Sequence, residues 1–209
     1  PSDVDLLKGE IGCLKGMQDG IFVASALAKC GTMLEDVEAL SGAYDVVVAN
    51  PPYMGSGKMD LWLNGWLKDH YEDEKSDLFA AFVVRNAMFA KPHGELGFMT
   101  PYVWMFISSY EKLRLLLIEE KTITSLIQLE YSGFAGATVP ICTFTVNNAH
   151  LDGYEGGYVR LSDFVGADRQ APKALEAIKD PDCGWFYRRD ADSFKDIPGS
   201  PIAYWASKM

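Results

Sequence analysis

The stretch "YDVVVANPPYMG", residues 44–55, decides the reading of this chain. Its first half is a short continuous β-branched run, the pattern of a strand buried on both faces of a parallel sheet. Its second half sets two consecutive prolines between Asn50 and Tyr53, which no ordinary turn requires. Each proline fixes its own φ at about −65° and lacks an N–H. The carbonyls of Asn50 and Pro51 are therefore held at defined angles with little entropy left to lose. A rigid pair of acceptors results, the Asn50 side-chain oxygen and the Pro51 carbonyl, with the Tyr53 ring beside them. The simpler alternative is that the prolines stop a strand and Tyr53 packs in the core.

Moving outward, "KSDLFAAFVVRNAMFAKPHG" predicts a helix with Ser76 as N-cap, since Leu78, Phe79, Phe82, Val83 and Phe89 recur near helical spacing. Asp77 falls in its first turn, where an acidic residue is favoured, and could cap the helix or line a site. Pro92 and Gly94 end the helix. "GELGFMTP" is a second short strand, and "SSYEKLRLLLIEEK" a helix with a capping box of Ser108 and Glu111. "TITSLIQLE" and "TVPICTFTV" are two further strands. The link between them is short and contains two glycines, so they should pair antiparallel as a hairpin. The alternation predicts an α/β fold, a three-layer sheet with crossover helices. Upstream, "MQDGIFVASALAKCGTMLEDVEAL" fits helix, strand or one of each. Beyond residue 150 turn clusters and scattered aromatics replace the alternation, which marks 151–209 as a second region adjoining 1–150.

Ligands of open α/β sheets bind outside the carboxyl ends of the strands, and Asn50 to Tyr53 lie just past one such end. Two acceptors and an aromatic plane suit a flat ligand with an exocyclic amino group, such as adenine. "MGSGKM", 54–59, lacks the spacing of a phosphate loop and reads as a flexible loop near the ligand. "HYEDEK", 70–75, reads as a solvated acidic surface.

Composition narrows the classes. With 209 residues and 48% hydrophobic content the chain can bury a sizeable core. A formal net charge of −10 argues against a simple nucleic-acid-binding module, so any grip on DNA is local or supplied from elsewhere. The four cysteines form no C-x-x-C pair and the three histidines sit near none of them, which predicts reduced thiols, a cytoplasmic setting and no metal site. No apolar run approaches the roughly 20 residues of a membrane span, and the N-terminus lacks a signal pattern.

"NPPY" after "YDVVVA" resembles the catalytic motif of S-adenosylmethionine-dependent N6-adenine methyltransferases. The likeness continues: "KSDLFAAFVVRNAMFAKPHGELGFMTPYVWMFISSYEKLR" resembles the region after that motif in gamma-type DNA methyltransferases, including those fused in restriction enzymes. "FAGATVPICTFTV" is similar to their later motif, and "FKDIPGSPIAYWASKM" to a segment past the catalytic domain in the large methyltransferases of BREX-type phage-defence systems. The resemblance implies the C-terminal half of a Rossmann-like methyltransferase sheet ending in an antiparallel hairpin. It implies a bacterial or archaeal enzyme that methylates adenine N6 in DNA with S-adenosylmethionine as cofactor, and defence-system proteins as possible partners. It also implies Asn50, Pro51, Pro52 and Tyr53 as catalytic residues, with Tyr53 stacking on one face of a flipped adenine and Phe134 on its other face or edge, unless Phe134 is a core aromatic of the hairpin. Pro52, Phe79 and Phe82 match positions near the cofactor, although two aromatics on an apolar helix face are more simply core residues.

The chain departs from that family in one respect. Neither the glycine-rich D-x-x-x-G-x-G loop nor the acidic residue that follows the next strand stands upstream of Tyr44. The expectation is a fragment of a larger enzyme, inactive on its own. Two alternatives stay open: a protein-glutamine methyltransferase, whose family also carries Asn-Pro-Pro-Tyr, and a non-catalytic interaction module.

Overall fold

A computed structural model describes residues 3–15, 21–131, 133 and 139–206. The chain divides into two compact units, Pro1–Ala43 and Tyr44–Met209. The first is a pair of helices, α1 (Asp3–Lys15) and α2 (Ile21–Ser41), packed against each other with Lys8 paired to Glu38. The ambiguous upstream segment is thus helical over its described part.

The second unit is one mixed six-stranded sheet with helices. Its elements are β1 (Tyr44–Ala49), α3 (Leu61–His70), α4 (Leu78–Phe89), β2 (Ala90–Pro101), α5 (Glu111–Glu119), β3 (Thr122–Gln128), β4 (Ile141–Asn147), β5 (Glu155–Arg160), α6 (Ala167–Lys179) and β6 (Phe186–Asp190). The spatial order is β1-β2-β4-β3-β5-β6. β1 runs parallel to β2, and β3 parallel to β5. β4 is antiparallel to both its neighbours, so the expected β3–β4 hairpin is present. It does not end the sheet, because β5 pairs beside β3 and β6 pairs antiparallel beside β5. The 151–209 segment is built into this same sheet, and the break between compact units falls at Ala43/Tyr44 instead of at 150.

Alternation along the strands sends one set of side chains under α4 and α5. Leu96, Phe98, Ile123, Leu126, Phe144 and Val146 meet Phe79, Val83, Leu113 and Leu117 there, all buried. Burying each large apolar side chain is worth about 1.5–3 kcal/mol, so this layer carries most of the stability. A smaller cluster, Leu129, Val159, Leu161 and Ala177, lies under α6 with Ile127.

Several expectations are corrected. β1 is not buried on both faces: it is the edge strand, and Val46 and Val48 are 61% and 77% exposed. A β-branched run reads the same in sequence whether or not a further layer covers it. The N-cap of α4 is Asp77, not Ser76, because the Asp77 carboxylate accepts from Phe79 N. The Ser108/Glu111 capping box does not form. Ser108–Tyr110 is a turn of 3-10 helix, and α5 starts at Glu111 without a side-chain cap. Helix α4 ends at Phe89, ahead of Pro92 and Gly94, and β2 begins at once. Lys91 to Gly94 form an irregularity in the β1–β2 register, with Gly94 so close to the carbonyls of Lys91, Asp45 and Tyr44 that a Cβ could not fit.

Candidate active site

Asn50 and Pro51 sit at the carboxyl end of β1, with Asn50 exposed and Pro51 buried. Tyr53 folds back over the turn, half-buried against the core. Its hydroxyl lies 2.9 Å from Asn50 Oδ1 and 3.1 Å from the Met99 carbonyl oxygen. A hydroxyl has one proton to donate, so Tyr53 serves one acceptor at a time. Burial, and secondarily the Cys142 thiol, raise the Tyr53 pKa, which keeps that proton in place at neutral pH. The tyrosine can thus release Asn50 Oδ1 without stranding its own hydroxyl, by giving the bond to Met99.

The loop beyond Tyr53 is tied to the start of α4. Met54 N donates to Asp77 Oδ1 at 2.9 Å, Leu78 N to the Met54 carbonyl at 3.0 Å, and Ser56 N to the Ser76 carbonyl at 3.0 Å. "MGSGKM" is consequently a structured turn, with 3-10 helix over Ser56–Lys58 and Asn64 Nδ2 donating to the Ser56 carbonyl, not a free loop. Asp77 accepts two backbone N–H groups on one oxygen. Its pKa is nonetheless raised, because burial outweighs the hydrogen bonds and the positive field of Lys58.

Beneath the site, Cys142 is fully buried near Thr100 Oγ1, which also accepts from Trp104 Nε1 at 3.1 Å. Burial pushes the Cys142 thiol up to about 12, so it stays protonated and is no nucleophile. From Asn50 a groove of about 330 Å³ runs along the open sheet face, past Val48, Gly97, Met99, Thr143 and Thr145.

The two aromatics of α4 separate. Phe79 is fully buried and packs against Tyr110 at 5.5 Å between ring centroids, so it is a core residue with no surface for a cofactor. Phe82 is 40% exposed and lines an apolar cavity of about 150 Å³ with Trp66, Leu67, Tyr71, Leu78 and Arg85. Pro52 is exposed beside Tyr53. Phe134, the expected second stacking residue, lies outside the described residues. The acidic stretch 70–75 is mostly exposed, but Glu74 is buried and its pKa is raised chiefly by that burial. Sequence reasoning missed the Met99 carbonyl, a backbone atom without a residue signature, and the part of Trp66 and Tyr71 in the cavity. Among the described residues no group of three or more His, Cys, Asp or Glu side chains could hold a metal, and no helix is long and apolar enough to cross a membrane.

Comparison with known proteins places the chain. Residues 18–134 match the Eco57I restriction-modification methylase family. The chain belongs to this family. The adenine-specific methyltransferase PglX of Lacticaseibacillus casei (strain Zhang) is 38% identical over 177 residues, 82% of this chain and 14% of the relative. The adenine-specific methyltransferase BrxX of Escherichia coli O9:H4 (strain HS) is 35% identical over 185 residues, 87% of this chain and 15% of the relative. The chain thus spans about a seventh of the length of these two relatives. In structure it is similar to a type I restriction-modification methyltransferase subunit from Streptococcus thermophilus, with a TM-score of 0.56 and 16% identity, covering 78% of this chain and 37% of that one. The fold is that of the Rossmann-like methyltransferases, α/β with a mixed sheet.

Proposed function

We propose that this chain is part of a DNA methyltransferase that transfers the methyl group of S-adenosylmethionine to adenine N6, in phage defence or restriction-modification. The observation that carries the reading is the Asn50-Pro51-Pro52-Tyr53 turn at the carboxyl end of β1, clamped to α4 through Asp77. Family membership and the names of its relatives agree with it.

The adenine amino nitrogen is a poor nucleophile because its lone pair is delocalised into the ring. Asn50 Oδ1 and the Pro51 carbonyl would accept its two hydrogens, favouring a more tetrahedral nitrogen with the lone pair free to attack. Tyr53 would hand its hydrogen bond to Met99 as the base enters and cover one face of the ring. A base inside a duplex cannot reach this turn, so the adenine would have to flip out, with stacking offsetting part of the few kcal/mol lost. Positioning supplies most of such catalysis. S-adenosylmethionine, when bound, supplies the electrophilic methyl group and leaves as the thioether. The residues present fit part of it: Phe82, Trp66 and Tyr71 offer an apolar aromatic cavity suited to its adenine ring, and Pro52 an exposed face beside the turn. The 209 residues alone are expected to be inactive.

The test is labelled methyl transfer by the intact parent protein to genomic DNA and, separately, to a protein substrate. Transfer to DNA that Asn50→Ala abolishes supports the proposal. Transfer to glutamine in protein, or transfer to DNA indifferent to Asn50, overturns it.

A further inference from the structure

The edge of the sheet that carries Asn50 continues as a row of half-exposed aromatic rings ending in a cation. β1, β2, β3 and β5 are mutually parallel, since β4 is antiparallel to both β2 and β3. Their carboxyl ends therefore share one edge. Tyr102 follows the end of β2 and lies 6.2 Å, centroid to centroid, from Phe106. Phe106 is 36% exposed and meets Trp205 edge-on at 5.6 Å. The guanidinium of Arg160, the last residue of β5, lies 5.1 Å from the Trp205 ring. Among the described residues Arg160 forms no ion pair and its side chain no hydrogen bond.

The row is held from behind. Arg114 is buried; its Nη1 donates to the carbonyls of Trp104 and Ile107, both at 2.7 Å, and its Nη2 to that of Gly199 at 2.6 Å. Ile202 N donates to the Met105 carbonyl at 2.9 Å. Two segments distant in sequence, the one with Tyr102 and Phe106 and the one with Trp205, are thus fixed side by side. Tyr204, next to Trp205, donates from its hydroxyl to Gln128 Oε1 at 2.7 Å and stacks on Tyr158. Exposed rings held so rigidly lose little entropy on meeting a ligand.

We propose that Tyr102, Phe106, Trp205 and Arg160 form a nucleic-acid track, on which the strand next to a flipped base runs. Aromatic faces stack on bases regardless of sequence, and an unneutralised guanidinium takes a phosphate. The chain carries a net charge of −10, so an unpaired arginine on the site's own edge stands out as the local grip that such a chain needs. The inference deepens the methylation reading and rests on it for the choice of DNA.

The test uses the intact parent protein and a fluorescent mixed-sequence duplex, with and without a short single-stranded gap, titrated over a range of salt. Arg160→Gln is expected to lower the slope of log affinity against log salt by about one unit, while Arg160→Lys keeps it. Phe106→Ala is expected to weaken binding to the gapped duplex about tenfold. Cofactor binding, read by calorimetry, stays at the parent value in both, which separates a lost contact from a lost fold. An unchanged slope in Arg160→Gln together with unchanged gapped-duplex affinity in Phe106→Ala overturns the inference. So does loss of a protein partner in place of DNA binding. Asn50→Ala abolishes methyl transfer while leaving the salt slope intact, so the two readings fail separately.

Discussion

The two faces of the sheet around β1, β2 and β4 make opposite use of the same strands. On one face Leu96, Phe98, Phe144 and Val146 are at most 4% exposed beneath α4 and α5. On the other, Val48 is 77% exposed and Thr143 and Thr145 line an open groove. The covered face gives the site its rigidity, and the open face contributes little to stability. The candidate catalytic turn is therefore supported from one side, through Tyr53 and Asp77.

The comparison can be broken by mutation. Phe144→Ala should cost about 3–5 kcal/mol in thermal or urea unfolding, whereas Val48→Ala should stay within about 0.5 kcal/mol. Equal losses would show that the open face is covered in solution. Arg114→Ala should cost about 3 kcal/mol, because it opens a cavity and removes the guanidinium that donates to the carbonyls of Trp104, Ile107 and Gly199. Arg114→Ala should also blunt the near-UV signal of the aromatic row.

Asp77 sharpens the comparison at smaller scale. Asp77→Ala removes a helix cap and the Met54 tie and should cost about 1 kcal/mol, while Asp77→Asn keeps the acceptor and should cost less. The pH dependence has a definite sign. Burial holds the folded-state pKa of Asp77 above its usual range, so the folded protein binds that proton more tightly than the unfolded one. The associated stability is full below the ordinary carboxylate range and is lost as pH rises through the folded value. The melting temperature of the parent relative to Asp77→Asn should accordingly fall as pH rises through that range. A rise would contradict the assignment.

The smallest effect is chemical. Cys142, fully buried with its pKa raised to about 12, should resist maleimide under native conditions at mildly alkaline pH, while the exposed Cys13 and Cys30 react. Labelling of Cys142 at a comparable rate would mean that the covered face opens readily.

What the sequence revealed follows the same division. The β-branched run, the two crossover helices and the β3–β4 hairpin were legible because each is encoded by local periodicity. The NPPY motif was legible as a turn at a strand end, and hence as a candidate site, because prolines and an asparagine there have little other reason to occur together. β5 and β6 were hidden because β5 begins "EGGYVR", and two glycines weaken a strand pattern. Their reason is packing: a Cβ on Gly156 would run into the Ile123 carbonyl oxygen, and one on Gly157 would press on the Phe186 ring. The cap of α4 moved from Ser76 to Asp77 because only the longer acceptor side chain serves both Phe79 N and Met54 N. That tertiary tie leaves no mark in local sequence. Nor does the exposure of β1, which depends on the layers around it and not on its own residues.

The most direct test of the central claim is nucleoside mass spectrometry of DNA from cells carrying the intact parent protein or its Asn50→Ala form. The account predicts N6-methyladenine with the parent and its loss with the variant, at equal protein levels. N6-methyladenine at equal abundance in both, or in neither, would contradict the assignment of Asn50 and Pro51 as the acceptor pair for the adenine amino group.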